Sequence, residues 1–369
     1  MKVNFCDISK DYQEQKNDID ENIQKVLDKG NFIMGNQVQE LETKLAEYVG
    51  VKHCIGVSNG TDAIKVALMA LGCKEGDEVI TVPFTWISSA EVINLVGAKP
   101  VFVDIDINTF NMDSTKLEAA ITDKTKAIIA VSIFGQVADF DEINKIAKKH
   151  NIAVIEDAAQ SFGAEQNGKK SCSLTDIATT SFFPSKPFGG YGDGGAVFTN
   201  DDKLANHIRA IRTHGANVRH NHWCIGMNAR LDTIQAAILL SKFKNINKVM
   251  NNRTNSGNLY SKLINEDENL SKKLVTPTIL DKNKSVYAQY TLLVEDRDKL
   301  KEQLKEKDIP SAIYYPKCLH EQEVYKYLGY KWGDFPNSEK ASRQVISLPM
   351  HGWITENDIN TVINELKKC

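Results

Sequence analysis

This chain of 369 residues is short of the features that would staple, anchor or metallate a protein. Its seven cysteines, Cys6, Cys54, Cys73, Cys172, Cys224, Cys318 and Cys369, are odd in number and scattered singly, and no CxxC pair occurs. That excludes a disulfide framework and fits a reducing, cytoplasmic setting. His214, His220 and His222 lie close together, but with neither a neighbouring cysteine nor a His-Glu-x-x-His helix they do not make a metal site. No run of about 18 consecutive apolar residues is present, and the start MKVNFCDISKDYQEQ has no apolar core, so neither a membrane span nor a secretion signal is expected. Charge of one sign is missing too: 45 Lys and Arg face 48 Asp and Glu. A phosphate backbone would find no basic field, and nucleic acid is not an expected partner. With 9 prolines, 22 glycines, no internal repeat and no low-complexity stretch, the chain is neither disordered nor collagen-like.

What is present has the size and composition of about two globular domains. Asn17 to Lys29 carries Ile19, Ile23, Val26 and Leu27 on one helical face, stopped by Gly30, and Val38, Leu41, Leu45 and Tyr48 repeat the pattern up to Gly50. Short β-rich runs then alternate with helical stretches: Cys54–Ser58, Thr61–Leu71, Val79–Val82, Ser88–Val96, Val101–Val103, Ala127–Ile133, Asp139–His150, Ala153–Glu156 and Ile177–Phe183. Such alternation predicts an α/β fold with a mainly parallel sheet covered on both faces. Thr180–Phe183 and Ala196–Thr199 flank a glycine-rich turn and read as a strand pair outside the alternation. A long helical pattern follows Leu231, and the polar stretch Asn251–Asn258 reads as a seam, giving a large domain over residues 1–250 and a smaller α+β domain over 251–369. In the latter, Tyr287–Val294 and Ala312–Tyr315 read as strands, Lys299–Lys307 and Glu356–Lys368 as helices.

Three features fall at the C-terminal ends of strands, where open α/β sheets hold ligands. Ser58-Asn59-Gly60-Thr61-Asp62 opens an apolar helix, whose free amides can seat an anion with help from the Thr61 hydroxyl, or whose start is simply capped by Asn59 or Thr61. Asp157 ends the apolar run Ala153-Val154-Ile155 and needs a cation or a capping role, with Gln160 three residues on. Lys186 sits in Ser181-Phe182-Phe183-Pro184-Ser185-Lys186-Pro187-Phe188-Gly189, among aromatic rings that would lower its pKa and make it a usable amine nucleophile. Residues Gly190 to Gly195 match GxGxxG but lead into a strand, which argues against NAD, and no Walker A loop exists. A phosphate seat, a buried acid and an activated lysine on one sheet are what pyridoxal 5′-phosphate needs for its phosphate, ring nitrogen and aldehyde.

Those segments resemble the DegT/DnrJ/StrS family of pyridoxal-phosphate-dependent nucleotide-sugar aminotransferases, which have the aspartate-aminotransferase type fold (PLP fold type I). The likeness covers essentially the whole chain and is carried by Gly56 to Ala63, Pro83-Phe84-Thr85-Trp86, Phe134-Gly135-Gln136, Glu156 to Ser161, Ser181 to Gly195 and Asn228-Ala229-Arg230-Leu231-Asp232. It implies that Lys186 bonds the cofactor aldehyde and carries the proton of transamination, and that Asp157 pairs with the ring nitrogen. It places Gln160 near the ring oxygen, Gly60, Thr61 and Ser181 at the phosphate, and Trp86 over the ring face, where the alternative is an ordinary core aromatic. Asn228 would reach the phosphate of a neighbouring subunit, making a homodimer with sites at the interface. Lys186, where some relatives have histidine, implies transamination instead of dehydration.

The wording Ser-Phe-Phe-Pro-Ser-Lys-Pro, with Arg-Leu-Asp-Thr-Ile-Gln-Ala-Ala and Ser-Val-Tyr-Ala-Gln-Tyr-Thr, is most similar to members that aminate C3 of UDP-2-acetamido-3-oxo sugars, notably the 3-oxo-glucuronate type. The resemblance then implies L-glutamate as donor, 2-oxoglutarate as co-product and a role in surface glycan or lipid A assembly. Arg230, Arg219 and His220 would meet a uronate carboxylate or the diphosphate, with Tyr315 and His320 near substrate; a solvated basic loop is the plain alternative for Arg219 and His220. Tyr314 stands where relatives often carry histidine. Other readings are amination of a dTDP-3-keto-6-deoxyhexose or a C4-keto sugar, a pyridoxal-phosphate-binding regulator without turnover, and an NAD-dependent oxidoreductase.

Overall fold

The computed structural model describes residues 3–369. Helix α1 (Ile8–Lys29) is capped by Asp7, whose carboxylate accepts from the Lys10 amide at 2.8 Å, and ends on Gly30 at φ +64°. It starts nine residues before the expected Asn17, because its first turns bury the polar Gln15 and give no apolar stripe to read. Helix α2 (Asn36–Val49) buries Val38, Leu41, Leu45 and Val49 and ends on Gly50.

Seven strands make the main sheet: β1 (His53–Val57), β2 (Glu78–Thr81), β3 (Lys99–Phe102), β4 (Thr125–Val131), β5 (Ala153–Asp157), β6 (Ile177–Ser181) and β7 (Gly195–Thr199). Their spatial order is β1-β7-β6-β5-β4-β2-β3. The pairs among β2, β3, β4, β5 and β6 are parallel, and only β7 runs antiparallel to both neighbours. β1 therefore points the same way as β5 and β6. Successive side chains leave opposite faces of a strand: Ile128 and Ala130 join one core cluster, while Ala127 and Ile129 join the other. Helices α3 (Gly60–Ala70), α4 (Ser88–Leu95), α5 (Phe140–His150) and α6 (Asp202–Arg212) cover the two faces. A small hairpin, β8 (Ala216–Val218) and β9 (Asn221–His222), follows α6.

Helices α7 (Thr233–Phe243) and α8 (Ile246–Asn265) lead to a second core. There β10 (Leu274–Val275), β11 (Tyr290–Val294) and β12 (Val345–Leu348) pair antiparallel, and α9 (Arg297–Glu306) and α10 (Glu356–Leu366) pack with them. Asn251–Asn258 lies inside α8, where its polar exterior hides a buried stripe of Arg253, Ser256 and Gly257. Gly257 is required because a Cβ there would come within 2.3 Å of the Tyr287 ring. One expectation is corrected: Ala312–Tyr315 is no strand; only Ala312 bridges to Ser347, and the segment is closed off by Pro310 and Pro316, which have no amide N–H to give a ladder.

Candidate active site

Because β1, β5 and β6 run in one direction, their C-terminal ends open on one edge of the sheet. At the first, Asn59 caps α3: its side chain accepts from Asp62 N at 2.7 Å and its carbonyl from Ala63 N at 3.0 Å. No described group accepts from the amides of Gly60 and Thr61, which stay free at the positive end of the helix. The Thr61 hydroxyl lies 2.7 Å from Ser88 Oγ. Ser181, at the end of β6, closes on this helix start, for a Cβ on Gly60 would sit 2.7 Å from Ser181 Cβ. That approach is possible because the intervening β7 begins with Gly195, where a Cβ would lie 2.6 Å from the Asn59 carbonyl and 2.8 Å from Thr180 O. Two free amides and two hydroxyls thus surround a point suited to a phosphate group.

Asp157 ends β5 and is buried. Its Oδ2 accepts from Ser89 Oγ at 2.8 Å and its Oδ1 from Ala159 N at 3.2 Å. Burial pushes the carboxyl pKa up, and those two donors and the Lys186 charge pull against it. Lys186 keeps part of its length open, yet burial of its ammonium lowers its pKa, with Asp157 opposing. Among the described residues its amine has no hydrogen bond or ion pair. The segment carrying it is pinned by Phe182 N to Gly194 O at 2.8 Å, Gly190 N to Phe182 O at 2.7 Å and Lys186 N to Phe183 O at 2.9 Å. Phe182 and Phe188 pack edge to face beneath it with centroids 5.7 Å apart.

Gln160 is held by its carbonyl, which accepts from Phe134 N at 2.8 Å, and donates to the Tyr315 hydroxyl at 3.2 Å. The Tyr315 ring lies 6.1 Å from that of Trp86, whose side chain is 58% exposed and so is no core aromatic in this chain. The structure gathers Gly60, Thr61 and Ser181 at one end of the site, and Asp157, Lys186, Gln160, Trp86 and Tyr315 around the rest. Arg230 pairs its backbone with Val57, just before this edge, and its Nε is buried with no hydrogen-bond partner among the described residues.

Three expected residues are not brought in, and Asn228 is one expected at a neighbouring subunit instead. Asn228 is exposed, with its backbone bridged to Thr213, and Arg219 and His220 sit at the exposed hairpin of β8 and β9. His320 is a correction: it is 4% exposed, its Nε2 lies 3.2 Å from Glu339 Oε1 and its ring packs 4.9 Å from Phe335. That burial leaves it no open face for substrate. His222 Nδ1 meets the His214 carbonyl at 2.8 Å, and no cluster able to hold a metal occurs among the described residues.

Sequence reasoning missed Ser88, Ser89 and the surroundings of Glu156. Glu156 is fully buried and accepts from Ser132 Oγ at 3.1 Å, Ser161 Oγ at 3.4 Å, Ser171 Oγ at 2.7 Å and Cys172 N at 2.8 Å. Burial pushes its pKa up against those donors. No cation is needed because four donors replace its water. A run of two serines opening a helix was the one readable signal.

A phosphate cradle, a buried acid and a desolvated, unpartnered amine fit a phosphorylated aromatic aldehyde. Comparison with known proteins agrees. The description DegT/DnrJ/EryC1/StrS aminotransferase family matches residues 13–367. The UDP-2-acetamido-2-deoxy-3-oxo-D-glucuronate aminotransferase of Pseudomonas aeruginosa is 48% identical over 363 residues, covering 98% of each chain. A protein of Geobacillus stearothermophilus called pleiotropic regulatory protein is 45% identical, covering 99% of this chain and 98% of its own. Among solved structures, a DegT DnrJ EryC1 StrS aminotransferase from Brucella abortus superposes with a TM-score of 0.94 at 40% identity, over 99% of each chain.

Proposed function

The chain belongs to the DegT/DnrJ/EryC1/StrS aminotransferase family and is a pyridoxal-phosphate-dependent aminotransferase; from that premise we propose that it moves the amino group of L-glutamate to C3 of a UDP-2-acetamido-3-oxo sugar. The observation that carries the reading is the placement of the unpartnered Lys186 amine and the buried Asp157 on the strand edge that also holds the free Gly60 and Thr61 amides.

The cofactor, when bound, supplies an electron sink for the carbanion left when an amino acid loses its α-proton. The chain's residues do the rest. The amides of Gly60 and Thr61 and the hydroxyls of Thr61 and Ser181 would hold the phosphate. Asp157, ionised, would keep a proton on the ring nitrogen. Gln160 and Trp86 would hold the ring oxygen and a ring face. Lys186 would be the residue that bonds the aldehyde carbon through Nζ, with loss of water, and that, once displaced by the incoming amine, takes the proton from the α-carbon of the donor; its lowered pKa leaves more of it neutral for that task. Lysine serves here because a desolvated amine switches between nucleophile and base.

Two copies form the working unit in this reading. Asn228, Arg219 and His220 are exposed, and Phe32, Ile33, Phe183, Trp223 and Ile225 are exposed apolar side chains that a second copy would cover. Arg230, with its buried unpartnered Nε, and the Arg219 and His220 hairpin are the donors for a diphosphate or a uronate carboxylate. Seven unpaired thiols support a reducing, cytoplasmic setting. The test is a panel of UDP- and dTDP-linked keto sugars with L-glutamate, the product read by NMR. A yellow protein that bleaches with L-glutamate and yields a 3-amino UDP sugar is expected. Amination at C4 or preference for a dTDP sugar refutes the substrate, and a borohydride-treated sample unlabelled at Lys186 refutes the site.

A further inference from the structure

Helix α4 opens with two serines in succession, and each reaches across to one end of the site. Ser88 Oγ lies 2.7 Å from Thr61 Oγ1 and 3.2 Å from Glu91 Oε1. Ser89, 1% exposed, donates from Oγ to Asp157 Oδ2 at 2.8 Å, with Thr85 Oγ1 behind it at 3.4 Å. A serine in a first helical turn usually spends its hydroxyl on its own helix. Here, beside the Ser88 contact with Glu91 of its own helix, the contacts span 27 and 68 positions.

Resting on the pyridoxal-phosphate reading above, we propose that Ser89 is a positioning residue that holds the Asp157 carboxylate ionised and aimed at the cofactor's ring nitrogen, while Ser88 sets the Thr61 hydroxyl at the phosphate end. A carboxylate buried with one donor on each oxygen has its plane fixed. Ser89 supplies the donor on Oδ2 and Ala159 N the donor on Oδ1. The other groups that act on Asp157 or feel its charge are Lys186, Tyr315 and Cys172. Of these only Lys186 favours its ionised form, and that charge is lost whenever the amine is neutral or bonded. Among the described residues Ser89 is then the one side chain that steadies the carboxylate throughout. Without it, Oδ2 is left in an apolar site with no donor, and the acid takes up a proton more readily. A neutral Asp157 no longer keeps the ring nitrogen protonated.

The experiment compares Ser89→Ala, Ser89→Thr and Ser88→Ala with the parent enzyme. In apo-protein, carbon-13 NMR of Asp157 should show its titration midpoint rising by at least half a pH unit in Ser89→Ala and returning in Ser89→Thr. In holoenzyme, Ser89→Ala should lose about tenfold or more in kcat with the KM for L-glutamate within twofold, and the pH midpoint of cofactor absorbance should move. Ser88→Ala should weaken pyridoxal phosphate binding severalfold and leave the Asp157 midpoint in place. An unchanged Asp157 titration and kcat in Ser89→Ala overturns the proposal. So does a variant whose only change is a lower melting temperature. If the parent protein itself binds no pyridoxal phosphate, it is the functional reading that fails, whatever the serine variants do.

Discussion

Replacing Gly60 by alanine tests the phosphate seat directly. The new Cβ would stand 2.7 Å from Ser181 Cβ and 3.3 Å from Ser181 Cα. Carbon atoms are at ease at about 3.5–4.0 Å, so roughly 1 Å must be found. Ser181 cannot retreat, being paired with Gly195 at the end of β6. The start of α3 has to move, and with it the amides of Gly60 and Thr61. Overpacking of this kind costs about 1–3 kcal/mol. If that strain is relieved by opening the seat, pyridoxal phosphate should bind about 5- to 150-fold more weakly, at tenfold per ~1.4 kcal/mol. Equilibrium dialysis of apo-protein gives the affinity, and thermal melting without cofactor gives the strain that remains. Adding Ser181→Gly removes the clashing carbon but also a hydroxyl. The double variant should therefore regain melting temperature and not affinity. A Gly60→Ala protein that binds the cofactor as the parent does would refute the reasoning.

The Glu156 network gives a stability prediction: Glu156→Ala takes the shared acceptor from three hydroxyls and the Cys172 amide, at about 1–3 kcal/mol each before the hydroxyls turn to one another, so urea unfolding should show a loss of at least ~3 kcal/mol, with a smaller loss for Glu156→Gln. Burial, aided by the Arg253 charge, depresses the His351 pKa from 6.5 to about 4. The unfolded chain therefore binds the proton first as pH falls; stability is full above 6.5 and should decline by about 1.4 kcal/mol per unit towards pH 4, a slope that His351→Gln flattens in denaturation series. His320→Ala should destabilise by about 1–3 kcal/mol, because Glu339 loses a partner, and leave the KM for the sugar unchanged in steady-state assays.

The layered fold could be read because β strands buried on both faces leave unbroken apolar runs, as Ala127 to Val131 does, and because glycines 30 and 50 end the first two helices. Lys186, Asp157 and the Gly60 turn were legible for a similar reason: each is a chemical oddity within its own local stretch. What escaped is long-range. Nothing near Ser89 points 68 residues ahead to Asp157, and the three serines around Glu156 come from three different segments. Asn251–Asn258 showed no helical stripe because α8 there buries Arg253, Ser256 and Gly257 in place of apolar side chains. His320 misled because its buried partner, Glu339, stands 19 residues away in Pro336–Gln344, a helix the sequence did not mark.

Gly195 carries a lesson for anyone who would redesign this enzyme. Where a methyl group would collide with the Asn59 carbonyl on one side and Thr180 O on the other, the site depends on a missing atom, and no neighbouring change can make up for it, since both obstacles are backbone. Libraries aimed at new sugars should keep positions 60 and 195 constant. They should spend their diversity on the open rim, at Phe183 and the β8 and β9 hairpin, where side chains can be exchanged without disturbing the scaffold's spacing.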